Sequence, residues 1–454
     1  MAEEIAELDQ RHVWHPFTQM RDWCEETPLV IEAAEGTDLI DAEGRRYIDG
    51  VSSLWCNVHG HRHPLIDRAV RDQLERVAHS TMLGLTHPGG AELAARLVDL
   101  APPGLTRVFY SDSGSAAVEV ALKMAFQHWR QRGGRHARRN RFVCLREAYH
   151  GDTLGAVSVG GIERFSGTYR PLVFRAHRVN AGDAVELDLM LDLHGEEVAA
   201  VIVEPLIQGA GGMRTQPPGY LRRVRELCDR HGIFLICDEV ATGFGRTGTM
   251  FACEQERVGP DFLCLGKGLT GGYLPLAATL TTERVHEGFL GAHEDFRTFF
   301  HGHTFTGNPL ACAAALASLD AFERDHTLLR LQPKIRLAHE LLAEVAAMPE
   351  VVEVRGRGLM IGIDLGTHDP ALRLGHRVTL EARRRGAIIR PLGDVIVLMP
   401  PLAISKADLR RLVRIVVDSI RAAVAAAYDE TRAGLDTGCG VATAAAPTEV
   451  ARAA

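Results

Sequence analysis

Between about residue 90 and residue 325 the chain alternates, again and again, between short apolar runs and helix-patterned stretches. A helical pattern over 90–100 precedes the apolar run Arg107–Tyr110, and a second over 115–130 precedes Phe142–Leu145. Further runs lie at Ala199–Val203, Ile233–Cys237 and Phe262–Leu265, with helical patterns at 220–231 and 308–322. Runs this short and this uniformly apolar predict strands buried on both faces, and intervening helices make parallel connections natural. The expected fold class is α/β, with a mostly parallel sheet in a large domain over residues 61–325. Residues 1–60 are irregular apart from strand patterns near Asp38–Ile48, and are expected to serve the smaller domain and the active site. Residues 326–430 mix a long helix, strands over 358–365 and 387–398, and a final helix over 406–428, which predicts a smaller α+β domain. An Ala-, Thr- and Gly-rich stretch, 431–454, is expected to be a disordered tail.

Charge and cysteine usage remove several classes of function. A net charge of −7 argues against nucleic acid as a partner. The arginine-rich stretch Arg130–Arg141 joins a helix to a strand and is expected to be a solvated loop. Nine scattered cysteines, with no Cys-x-x-Cys, predict a reduced, cytoplasmic protein without a disulfide framework. The acidic N-terminus has no secretory pattern, and no apolar run reaches membrane-spanning length.

In open α/β sheets ligands bind at the carboxyl ends of the strands, so the residues that follow each strand matter most. Lys267 follows the run Asp261-Phe-Leu-Cys-Leu-Gly and is itself followed by glycines. An apolar setting lowers an amine's pKa and prepares it to attack a carbonyl. The other three lysines, Lys123, Lys334 and Lys406, fall in helical patterns, where solvated faces are expected. Asp238 ends the strand before Glu239. Ser111-Asp-Ser-Gly-Ser115 opens a helix, whose free N–H groups suit a phosphate. Tyr149-His-Gly151 brings a flat ring after another strand. Singly, two of these have a bland reading: a satisfied aspartate and an ordinary serine cap. Together, an amine for an aldehyde, an acid for a ring nitrogen, a helix start for a phosphate and a ring for stacking match pyridoxal phosphate.

Three stretches carry a resemblance: Val203-Glu-Pro-Leu-Ile-Gln-Gly-Ala-Gly-Gly212, Cys237-Asp-Glu-Val-Ala-Thr-Gly-Phe-Gly-Arg-Thr-Gly248 and Leu265-Gly-Lys-Gly-Leu-Thr-Gly-Gly272. They resemble the signature of the class III pyridoxal-phosphate aminotransferases, and the likeness runs from about residue 10 to about 425. It implies the fold-type I architecture, with a seven-stranded-type sheet, and a homodimer with active sites shared between subunits. Closer motifs at Arg11–Met20, Ser52–Gly60, Tyr110–Ser115, Ala148–Thr153, His301–Thr304 and Ile389–Gly393 look like the branch serving biotin biosynthesis. That branch aminates 8-amino-7-oxononanoate to 7,8-diaminononanoate. Carried over by position, the resemblance implies catalytic roles for Lys267, Asp238 and Tyr149. Lys267 would bind the cofactor aldehyde, Asp238 would pair with the ring nitrogen, and Tyr149 would stack. Gly114 and Ser115 would hold the phosphate, joined by His303 and Thr304 of the partner subunit. Arg390 would hold the substrate carboxylate, with Phe17, Leu54, Trp55, Tyr149, Lys267 and Gly302 lining the substrate space. Phe17 stands where the branch often has tyrosine, and Leu54 where many members have a second tryptophan. These departures leave the donor open between S-adenosylmethionine and lysine.

Other patterns are weaker. Gly243-Phe-Gly-Arg-Thr-Gly248 matches a dinucleotide fingerprint but lacks its strand-to-helix setting. His59-Gly-His-Arg-His63 has no accompanying carboxylate or cysteine cluster, so a turn before a helix is expected and no metal site. The rival readings are another class III ω-amino acid:oxo-acid aminotransferase, a mutase of the same fold, and a non-catalytic cofactor-binding protein.

Overall fold

The computed structural model describes residues 2–437. Its centre is a seven-stranded sheet in the order Leu105–Ser111, Ala277–Thr282, Phe262–Leu265, Phe234–Asp238, Val198–Val203, Arg141–Leu145, His177–Val179. The last five strands pair in parallel, and Ala277–Thr282 runs antiparallel to both neighbours. Every residue of Val198–Val203, Phe234–Asp238 and Phe262–Leu265 is buried, as two-sided helical cover requires. Helix Gly114–Arg132 covers one face and helix Tyr220–His231 the other. Trp129 on the first helix is almost wholly buried and donates from Nε1 to the Ala199 carbonyl.

Five of the seven strands match the sequence expectation. Two do not. His177–Val179 is three residues with a half-buried histidine and arginine, too short and polar to read as an apolar run. Ala277–Thr282 is rich in threonine. Two of those hydroxyls are satisfied by carbonyls, Thr279 by Ala117 and Thr281 by Asp261.

Strands Ile31–Glu35, Asp38–Asp41 and Arg46–Asp49 form a second sheet that is completed by Ala387–Ile388. A third sheet joins Glu353–Arg357, Met360–Asp364, Val395–Leu398 and Arg390–Leu392. The stretch 387–398 is thus three short strands divided between two sheets rather than one. The final helix, Lys406–Thr437, runs past the end expected at 428 and takes in the first seven residues of the expected tail; from 438 on, that tail lies outside the described residues.

Lys334 departs from expectation. It is not on a solvated face: its Nζ donates to the Leu402 carbonyl at 2.7 Å, and burial lowers its pKa. The histidine turn has three separate destinations, His59 to Ser318, His61 to Asp49 and His63 to Asp325. Gly243–Gly248 forms a turn in which the almost fully buried Arg246 donates to the Asn57 and Pro400 carbonyls. The eight described cysteines are all free. Among the described residues no helix is long and apolar enough to cross a membrane.

Candidate active site

Four parallel-strand ends converge on one cavity of about 500 Å³. Trp55, Ser113, Gly114, Ser115, Tyr149 and His150 line it, as do Glu204, Asp238, Val240 and Lys267. Lys267 sits just after Phe262–Leu265 at a left-handed φ of 43°, an uncommon conformation for a residue with a side chain. Its Nζ lies 4.9 Å from the centre of the Trp55 ring. Among the described residues the amine has no hydrogen bond and no ion pair. Burial, opposed by the charges of Asp238 and Glu204, lowers its pKa.

Asp238 ends the neighbouring strand and is 5% exposed. It accepts from His150 Nδ1 at 2.7 Å and from the Val240 amide at 3.0 Å. The His150 side chain is fully buried, so this contact fixes the carboxylate from the protein side of the cavity. The next residue, Glu239, faces the other side of the chain. It accepts from Thr242 Oγ1 and from the Ala252 and Cys253 amides.

Helix Gly114–Arg132 begins at the cavity, capped by Ser113 through the Ala116 amide. Ser115 Oγ lies 2.8 Å from Thr153 Oγ1 and accepts from the Thr153 amide. The approach is glycine-lined of necessity. A Cβ on Gly114 would stand 2.4 Å from Val240 Cγ1, and one on Gly151, at φ 119°, would stand 2.2 Å from Ser115 Oγ.

Tyr149 donates to Asp152 at 2.7 Å, and burial raises its pKa. The Phe17 ring meets it edge-on, 6.5 Å between centres. Arg390 lies near Tyr149, and burial lowers the guanidinium's pKa. Among the described residues the Arg390 guanidinium has neither an ion pair nor a hydrogen bond. A half-buried guanidinium without an acceptor is an anion receptor in waiting.

The residues singled out by sequence fall into two groups. Lys267, Asp238, Tyr149, Gly114, Ser115 and Trp55 share the cavity, with Phe17 and Arg390 beside Tyr149. Leu54 is half-exposed next to Trp55. Gly302, His303 and Thr304 do not line the cavity of the single chain; His303 lies 3.9 Å from Asp112, just before the helix.

Two cavity residues escaped the sequence reading. His150 stood inside a quoted motif, but its partner is 88 residues away. Glu204 follows the apolar strand Val198–Val203 as Asp238 follows its own, so the same strand-end signal marks it. It is 4% exposed and accepts from the Tyr149 and Gly209 amides. Burial pushes its carboxyl up to about 7, against the pull of His150.

The Aminotransferase class-III family matches residues 20–420. A curated relative from Nitratidesulfovibrio vulgaris, named adenosylmethionine-8-amino-7-oxononanoate aminotransferase, is 58% identical over 92% of this chain and 81% of its own. A relative of the same name from Geobacter sulfurreducens is 50% identical over 90% of this chain and 95% of its own. The crystal structure of the Methanocaldococcus jannaschii protein of that name superposes with a TM-score of 0.91, at 42% identity, covering 93% of this chain and 99% of that one. An amine transaminase from an uncultivated Pseudomonas species, solved in its PLP-bound form, superposes with a TM-score of 0.84 at 36% identity, covering 92% and 99%. This chain, with the fold-type I arrangement of a mostly parallel seven-stranded sheet, belongs to the class III aminotransferase family.

Proposed function

We propose that this aminotransferase catalyses the biotin-pathway step that converts 8-amino-7-oxononanoate to 7,8-diaminononanoate, using pyridoxal phosphate. The observation that carries the reading is two basic side chains without a partner among the described residues: Lys267 in the cavity and Arg390 near Tyr149, which lines it. An unpaired amine suits a carbonyl and an unpaired guanidinium suits a carboxylate. A keto acid with its carbonyl distant from its carboxylate presents both. The shared name of the relatives, at up to 58% identity, favours this substrate over a generic ω-amino acid.

The residues fit the cofactor. The helix start at Gly114 and Ser115 can take a phosphate, and the missing Cβ atoms at Gly114 and Gly151 leave backbone approach open. Asp238 has lone pairs beyond those used by His150 and Val240, enough for a ring N–H. Tyr149 offers a flat face and Lys267 an amine. When bound, pyridoxal phosphate supplies an aldehyde and an electron-accepting ring.

The chain does the rest. Lys267 would hold the cofactor at its aldehyde, and its amine, once displaced by an amino donor, would serve as general base and then acid for the proton on the donor carbon. Asp238 would keep the ring nitrogen protonated, with His150 holding the carboxylate in place. Arg390 grips the keto acid carboxylate, and Phe17, Leu54 and Trp55 give its apolar chain a wall. Water enters only to release the deaminated donor, so the two substrates alternate and the kinetics are ping-pong.

We further infer a cytoplasmic homodimer of two-domain subunits, with the large domain over 61–325 and the small domain over 326–430 joined by residues 1–60. His303 and Thr304 of the partner subunit would complete the phosphate site. Trp14, Leu83, Leu85, Phe300 and Phe305 are large apolar side chains left exposed on the single chain, surface that a second copy would cover. Mass measurement in solution tests this, and a monomer carrying full activity would refute it.

The decisive test is purified enzyme with 8-amino-7-oxononanoate and either S-adenosylmethionine or lysine, scored for diaminononanoate. Product is expected with at least one donor; product with neither overturns the reading. In Arg390→Ala the KM for the keto acid is expected to rise by about 10–150-fold, the worth of a charged hydrogen bond pair.

A further inference from the structure

The segment that presents Trp55 to the cavity is strained in an unusual way. Ser52, Ser53 and Trp55 have φ values of 51°, 63° and 65°, three left-handed non-glycine residues within four positions. Ser53, at φ 63° and ψ −55°, lies near the strained γ-turn region. Such conformations persist only where the surroundings over-determine them, and they cluster where a side chain must be aimed.

The surroundings here are specific. Asp49 ends strand Arg46–Asp49 and is 0% exposed. Its carboxylate accepts from the Ser53 amide at 2.8 Å and from Ser53 Oγ at 2.9 Å, holding both the backbone and the side chain of the most strained residue. His61 Nε2 lies 3.0 Å from the same carboxylate and fixes it from behind. Ser52 Oγ donates to the Met399 carbonyl at 2.6 Å. No slack exists at either end. A Cβ on Gly50 would stand 2.8 Å from the Ile388 carbonyl, and one on Gly272 would stand 3.0 Å from the backbone of Asn57. Asp49 itself does not line the cavity.

We infer that Asp49 is a positioning residue for the amino acceptor: it clamps Ser53 in its high-energy conformation and thereby fixes Leu54 and Trp55 as the wall of the substrate space. The assignment of that wall to the acceptor rests on the functional reading above. The clamp is charge-assisted at both contacts, which suits it to hold a conformation the chain would otherwise leave. An aspartate there acts through Ser53, not on substrate or cofactor.

The test uses the full-length holoenzyme. In Asp49→Asn the charge is lost and one oxygen becomes an NH2 that only donates, so Ser53 Oγ and His61 Nε2 must turn acceptor and the charge-assisted clamp weakens. The KM for 8-amino-7-oxononanoate is expected to rise about tenfold or more with kcat less affected, while the absorption of bound cofactor stays as in the parent. Glycine adopts the Ser53 conformation without strain, so Asp49→Asn combined with Ser53→Gly should recover most of the lost KM. An unchanged KM in Asp49→Asn overturns the assignment. So does a loss that tracks cofactor absorption and is not recovered by Ser53→Gly. Should Asp49→Asn fail to fold, Ser53→Ala keeps the amide contact and drops only Oγ; a raised KM there supports the clamp and a parental KM refutes it. A parent inactive on this keto acid with both donors sinks the functional reading instead, and the clamp is then read from the KM of whichever keto acid the parent accepts.

Discussion

Lys267 and Lys334 are two lysines removed from water, in two parts of the molecule, and they differ in one respect. Lys334, on helix Thr327–Ala346, has a carbonyl acceptor at 2.7 Å. Lys267, at the carboxyl end of Phe262–Leu265 inside the large sheet, has among the described residues only the face of Trp55. The same contrast divides Asp238 from Glu239. Glu239 is saturated by the Thr242 hydroxyl and the Ala252 and Cys253 amides, whereas Asp238 keeps acceptor capacity turned to the cavity. Burial alone therefore does not mark a functional group. Burial with an unsatisfied bonding capacity does, because a stable fold otherwise has every reason to satisfy it.

The sharpest way to break this comparison is to exchange the consequences. Lys267→Ala is expected to abolish transamination, and borohydride treatment of that variant should fix no cofactor to the protein. Lys334→Ala should leave kcat at the parental level and lower stability by about 1–3 kcal/mol, read as a shift in melting temperature. A Lys267→Ala variant that still binds cofactor covalently, or a Lys334→Ala variant that loses catalysis, would dissolve the distinction. Next in size, Asp238→Asn should retain bound cofactor yet lower kcat by about 10²–10³-fold, as removal of a preorganised electrostatic partner does. Glu239→Gln should instead cost stability with kcat preserved.

The smallest effect concerns Glu204. Its folded carboxyl is raised to about 7 from 4.5, so the folded state binds the proton more tightly. Its contribution is therefore greatest below pH 4.5 and falls as pH rises through 7. The parent should lose on the order of 3 kcal/mol relative to Glu204→Gln across that window, measured by denaturant unfolding of the cofactor-free protein. Parallel stability curves for the two proteins would show that Glu204 titrates normally.

Sequence legibility follows the same division. Lys267 and Asp238 were readable because each ends an apolar strand, and strand ends are where such sheets bind ligands. The strands Val198–Val203, Phe234–Asp238 and Phe262–Leu265 were readable for the reason that makes them central: burial on both faces leaves almost no polar positions. Ala277–Thr282 escaped because its threonines satisfy their hydroxyls on carbonyls that no local pattern reveals. Lys334 was misjudged because a helical pattern does not say which residue lies opposite; the Leu402 carbonyl is 68 residues away. His150 was invisible as a partner for the same reason, whereas Asp49 lies only 4 residues from Ser53 and was missed because nothing in the sequence marks a left-handed serine. The chemistry of a site can be read locally when a strand delivers it, but what holds that chemistry still, a distant partner or a strained backbone, becomes visible only in three dimensions.

The pairing of Arg46–Asp49 with Ala387–Ile388 bears on how the chain reaches this state. Ser52 and the carbonyl it binds are 347 residues apart. During synthesis the N-terminal strands leave the ribosome with one sheet edge open, and that edge stays open until almost the whole chain has followed. Closing so large a loop makes this pairing a late event, after the locally connected large sheet has formed. Nascent chains stalled short of residue 387 should therefore hold an exposed strand edge, the kind of surface that chaperones protect and aggregates exploit.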